Sequence, residues 1–404
     1  MKLPSRAINM RYHNGYVSVL ILPALAGLLM LLLGVVSQQH KLQQRWHLQS
    51  AADTMAHSAA TIMAREFNLL AVLNRALIAN QVAQAQLLGL SSWYRNLATA
   101  TDRLALVSSW IPYLNVVTRH LANATRYVNT PLQTLLSAGL LLQRALVESL
   151  RIAQIMVRYS FAMIIPKTMA ELAQLQNIPE HKWTLLHSPG LVQFPWLWWT
   201  FIPPQSAARD KDLLADLVRH SRDSFSQHRT YTWFNVGLIK AQKTGGTDLV
   251  VSQQGSWSWQ SMDTVALHVR ILFGREEIPW GNGVTHTDRR VTRLQPQRFG
   301  GSARKNPRTA RWALTEQYSL GGMSTPSYFN REELEPAHWP SVIIQFDDVV
   351  AKAGIRFSRP HAVFPRRDKR KERANLFNAL WEPELQSLTR PEKLIISQLR
   401  EQQS

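Results

Sequence analysis

The first clear pattern along the chain is an uninterrupted apolar block, Tyr16–Val36, with no charged residue. As a helix it extends roughly 31 Å, which matches the ~30 Å hydrocarbon core of a bilayer. Only a helix or a closed barrel satisfies its own backbone in lipid, so the block predicts a membrane-spanning helix. Pro23 is compatible with that, because membrane helices tolerate proline. The alternative is a cleaved secretory signal, with Lys2, Arg6 and Arg11 as its basic start. The apolar run is longer than a signal core and no Ala-x-Ala site follows, which favours an anchor.

Beyond the block the pattern becomes helical and amphipathic. No glycine or proline occurs between Gly34 and Gly89, so the helix is expected to continue out of the membrane. Small residues are dense over Leu48–Ala60 (LQSAADTMAHSAA), and Ala52, Ala56 and Ala59 form a face that another helix can approach closely. Contact with partner subunits is expected there. Residues 93–178 also read as helical, punctuated by Pro112, Pro131, Pro166 and Pro179. Within them Leu132–Met163 is amphipathic, with Arg144, Glu148, Arg151, Gln154 and Arg158 on the expected polar face. Phe194–Pro204 (FPWLWWTFIPP) predicts a buried or interfacial loop.

From Thr230 the period shortens to two. Thr230–Lys240, Thr247–Gln253, Ser256–Ser261 and Thr264–Phe273 read as strands, with Trp257 and Trp259 on one face. Gly245-Gly246 and Gly255 read as the breaks between them, and Ala310–Tyr318 and Ser341–Phe346 as later strands. The expected architecture is α+β. A cytoplasmic tail over 1–15 leads to a transmembrane helix over 16–36 and a helical stalk and bundle over 37–205. A β-rich distal domain with basic loops over 206–404 completes it.

Charge and composition add direction. The chain has 404 residues, 46 Lys or Arg against 27 Asp or Glu, and no cysteine. Disulfides and thiolate chemistry are therefore excluded. Basic residues on the N-terminal flank outnumber Lys41 and Arg45 on the other, which places the short tail inside and the bulk of the chain outside a bacterial inner membrane, in the periplasm. Two basic clusters are candidates for anion binding: Arg289, Arg290 and Arg293 in the first, and Arg366, Arg367, Lys369, Arg370 and Lys371 in the second. They keep open a membrane-anchored nucleic-acid-binding protein, although no base-reading module is present.

Candidate catalytic chemistry is thin. His220 and His228 flank Asp223 and Ser224, a set that keeps an envelope hydrolase open, but its spacing matches no nucleophile elbow. The His286–Asp288 pair lacks a third ligand, and no phosphate-binding glycine loop exists. No enzyme activity, cofactor or metal is expected.

Three stretches carry a resemblance. The apolar helix running into Leu48–Ala60, then Asn74–Gln86 (NRALIANQVAQAQ), then Asn375–Leu385 (NLFNALWEPEL), is similar to TadE/TadG-like proteins of tight-adherence (Flp) pilus assembly. The resemblance implies a membrane-anchored component that works by packing against pilus-assembly or pilin-like subunits. Two departures stand out. Leu20 occupies the fifth position after Gly15, where processed pilins carry Glu, and Asp223-Ser224-Phe225-Ser226 does not fit the metal motif that some TadG-like members carry.

Overall fold

The computed structural model describes residues 16–179, 183–188, 208–252, 255–271, 274–288, 295–323, 339–346, 349–359, 363, 365–369 and 372–403. Phe194–Pro204 and the clusters' Arg289, Arg290, Arg293, Arg370 and Lys371 lie outside the described residues.

Helix α1 spans Tyr16–Val107, 92 residues without interruption. The apolar block and the small-residue stalk are thus one rod. Helix α2, Pro112–Leu175, folds back along it. Proline acts here differently from the expected punctuation. Pro112 opens α2, where the missing N–H has no helical partner anyway, but Pro131 and Pro166 lie inside a continuous helix.

The remaining elements attach to this hairpin in two storeys. The storey nearer the apolar block holds a sheet of β1 (Trp183–Ser188), β7 (Ser341–Phe346), β8 (Val349–Phe357) and β9 (Trp381–Gln386), in that order and antiparallel. Its apolar face meets α1 from Ala51 to Leu70 and α2 from Ala162 to Ala173. On the other side helix α7 (Arg390–Gln403) contributes Ile396 against Ile343, and its Glu392 pairs with Lys352 at 2.8 Å. Strand β1 precedes residue 206 in sequence yet completes a sheet of C-terminal strands, so a boundary at 205 runs through this storey.

The second storey is a sheet of β2 (Tyr231–Val236), β3 (Ile239–Val251), β4 (Trp257–Ile271), β5 (Gly274–His286) and β6 (Gln317–Ser319). Helices α3 (Ala208–His220) and α4 (Ser224–Gln227) flank it, and α5 (Ser302–Lys305) and α6 (Pro307–Ala313) cover its outer face. Much of β3 and β4 is buried on both faces. The alternation in β4 holds. Trp257 and Trp259 pack toward α1 and α3, while Met262 packs with Ala310 and Ala313 of α6.

Two expectations fail here for one reason each. Gly245-Gly246 does not end a strand; both residues lie inside β3. A Cβ on Gly246 would sit 2.9 Å from the Gln227 carbonyl, and one on Gly245 would collide with Asp263. Small size, not turn formation, selects glycine at these positions. Ala310–Tyr318 is not one strand: Ala310–Ala313 ends helix α6, because Pro307 fixes a helical start, a turn follows over 314–316, and only Gln317–Ser319 is extended.

Helix α1 reaches the second sheet by the same device. A Cβ on Gly281 would lie 2.8 Å from Ala100 Cβ, and one on Gly283 would run into the Ser92 carbonyl. The helix therefore rests on bare backbone of β5. Gly283→Ala should lower stability by about 2–3 kcal/mol. Gly139→Ala on α2, whose new Cβ would meet Leu87 at an ordinary 3.5 Å, should raise it by about 0.5 kcal/mol. Thermal unfolding of the two variants in detergent separates these signs.

Candidate anchoring and packing site

The anchor is bare. From Ile21 to Val36 every residue is exposed, and burial begins only near His47. Met30 is 74% and Leu31 70% exposed, so none of the described residues covers the block. Helix α1 is long and apolar enough at this end to cross a membrane.

The expected packing face is occupied from within. Ala52, Ala56 and Ala59 are each fully buried, in the core shared by α1, α2 and the first sheet. Their small side chains admit the chain's own strands, so they do not present a surface to a separate subunit.

The polar face expected on α2 is also corrected. Arg144 and Glu148 are exposed, but Gln154 and Arg158 are buried against α1. Gln154 Nε2 donates to Asn74 Oδ1 at 2.7 Å, and Asn74 Nδ2 donates to the Leu376 carbonyl at 2.7 Å. One turn further along α2, Arg158 faces Glu66, which is 1% exposed. Burial raises the Glu66 carboxyl to about 8, and the Arg158 charge offsets only part of that rise. Burial likewise lowers the Arg158 guanidinium to about 10, with Glu66 acting against the fall. Further along the hairpin, hydroxyl pairs join the two helices: Thr101 with Thr125 at 2.7 Å and Ser108 with Thr118 at 2.5 Å.

A second polar centre joins α1 to the upper sheet. Asp263, fully buried on β4, accepts from Arg229 Nη2 at 2.8 Å, from Ser92 Oγ at 2.5 Å and from Lys243 Nζ. Arg229 Nη2 also donates to Ser261 Oγ at 2.8 Å. One carboxylate thus serves two cations. Burial lowers the Lys243 ammonium to about 8, and the Asp263 charge limits that fall. Such a cluster fixes strand register but has no opening to a ligand. Sequence reading missed Glu66, Arg229, Lys243 and Asp263, and set Arg158 on a solvated face. Spacing held a clue only for Glu66, which continues the buried line Met55, Ala59, Met63 toward Leu70.

The other candidates do not converge. Asp223 caps α4, accepting from the backbone N–H of Phe225 and Ser226, and His220 Nδ1 meets the Asp216 carbonyl at 2.7 Å. Among the described contacts none joins Ser224 Oγ to either imidazole, so this set is a helix cap. In the second basic cluster Arg366 is held by Asp368 through two hydrogen bonds of 2.8 and 2.6 Å, while Arg367 and Lys369 are exposed. Among the described residues no three His, Asp or Glu side chains group as metal ligands.

Compared with protein-family models, curated proteins and solved structures, the chain matches none.

Two substitutions test this polar framework. Asp263→Asn leaves two buried cations without a counter-charge and should cost about 3–5 kcal/mol. Glu66 binds its proton more tightly folded than unfolded, so its stabilising effect is complete below pH 4.5 and is lost as pH rises through about 8. Glu66→Gln mimics the protonated form at every pH. In denaturant titrations across that window the variant should gain on the native chain by roughly 1 kcal/mol per pH unit.

Proposed function

We propose that this chain is a TadE/TadG-like component of tight-adherence pilus assembly, anchored in the bacterial inner membrane with its folded body in the periplasm, and that it acts by contact rather than catalysis. One observation carries the reading. Two of the three stretches on which the resemblance rests, Leu48–Ala60 and Asn375–Leu385, are distant in sequence but share one core, and Asn74 at the head of the third bonds to Leu376. Leu48–Ala60 and Asn74–Gln86 lie on α1, and Asn375–Leu385 closes on them. Asn74 donates to the Leu376 carbonyl, Asn68 exchanges hydrogen bonds of 2.9 Å with the Trp381 backbone, and Phe67 meets the Trp381 ring edge-on. The first and last stretches therefore pack together in the storey nearer the apolar block, and the middle one joins them through Asn74 before its Leu77 and Ala85 run on into the second core.

The anchor supports the same reading. It is continuous with the rod that organises the body, so force or position at the membrane passes into the fold without a hinge. Glycine at Gly27 and Gly34, with nothing within 4 Å of either, leaves that helix a groove for neighbours in lipid.

Alkaline extraction and protease protection test the anchor. The full chain should stay in the washed membrane pellet and its body should be cleaved only from the periplasmic side. Removal of residues 1–36 should release it to the supernatant. Deleting the gene in a piliated host should abolish Flp pili, with restoration by the full chain and not by the released form. Normal piliation in the deletion strain, or tight salt-dependent binding of duplex DNA by the detergent-solubilised chain, would replace this reading with another.

A further inference from the structure

Helix α2 is apolar on more than one face. Its inner face mixes Leu136, Leu140, Val147, Ile165 and Met169 with Thr118, Thr125, Gln133, Gln154 and Arg158, and its outer face exposes a second apolar line. From Leu121 to Met163, alternating steps of three and four residues trace an outer line on which every residue is exposed. One row of that line contains Leu121, Val128, Leu135, Leu142, Met156 and Met163, with Ser149 its polar member. The row beside it is Ala124, Pro131, Ala138, Ala145, Ile152 and Tyr159. None of these residues is charged. Leu135 is 68%, Leu142 60% and Met163 76% exposed.

We propose that a second copy of this chain covers this seam, with the two α2 helices packed side by side and parallel. The period selects the kind of partner. A strict seven-residue repeat drifts around a straight helix and stays on one line only when two helices supercoil, so the surface is shaped for another helix. The flanks select the copy. Positions beside the seam, among them Thr134, Leu141, Leu146 and Ala153, are uncharged, and the acidic Glu148 is occupied by Arg151 of its own helix at 2.6 Å. Identical seams therefore meet without like-charge repulsion, and a differently charged partner has nothing to complement. The direction follows from the anchor, and in this respect the inference rests on the proposed membrane reading. Two copies held in one bilayer by α1 present their α2 helices at the same height and in the same sense. The seam, roughly 63 Å long at 1.5 Å per residue, stands along α1 above the apolar block and so lies out of reach of lipid.

The absence of cysteine makes the test direct. Leu135→Cys and Leu142→Cys on the seam, with Asn123→Cys and Arg144→Cys off it, are introduced singly into the full chain and bridged in native membranes with a short bismaleimide. The seam variants should give a product of twice the chain mass, and the off-seam variants should give little. Adding Leu142→Glu to Leu135→Cys should abolish that product while the protease-resistant body is unchanged. Equal bridging in all four variants, no bridging in any, or a product of another mass would each overturn the proposal. Alkaline washing of the same membranes reads the anchor separately. Seam dimers recovered in the supernatant would keep the seam and remove the anchor, whereas unbridged chain in the pellet would do the reverse.

Discussion

The structure depends on the continuity of one helix. Both sheets, α2 and the apolar block all take their positions from α1, and the sheets use separate lengths of it. A helix of 92 residues has no stability of its own on this scale; packing along its faces supplies it. Each length is matched to its cover by side-chain size. Alanines at 52, 56 and 59 admit the first sheet, and glycines at 281 and 283 in β5 admit the helix itself. Where the contact is between helices, hydroxyl and amide pairs set the register beside large apolar side chains such as Leu77, Leu88, Leu136 and Leu140.

Polar groups buried along this rod make it specific. Asp263 collects Arg229, Lys243 and Ser92 from three elements, and Glu66 faces Arg158 across the hairpin. Buried ion clusters contribute little net stability, but a misaligned strand or helix would strand a charge in the core. The second sheet can therefore sit on α1 in one register only.

Much of this is legible in the chain itself. The apolar block, the unbroken helix after it and the alternation of Trp257 and Trp259 are local patterns, and local patterns survive folding. Ser341–Phe346 is a strand with the expected bounds. What fails is context. Gly245-Gly246 reads as a turn because glycine frees the backbone, yet here it is chosen because Asp263 and Gln227 stand where a side chain would go. The polar face of α2 reads as solvated because Gln154 and Arg158 are polar, yet their partners Asn74 and Glu66 lie about one helix length earlier in sequence. Pairings at that distance leave no trace in periodicity.

The strand order has a consequence for synthesis. The storey nearer the apolar block is built from early and late parts of the chain, with β2–β6 inserted between β1 and β7. The alanine-rich length of α1 emerges first, but β7, β8 and β9 are the last strands made. The storey beside the apolar block therefore closes after the other one, and a ribosome that stops early leaves the alanine-rich length of α1 with its oily surface uncovered.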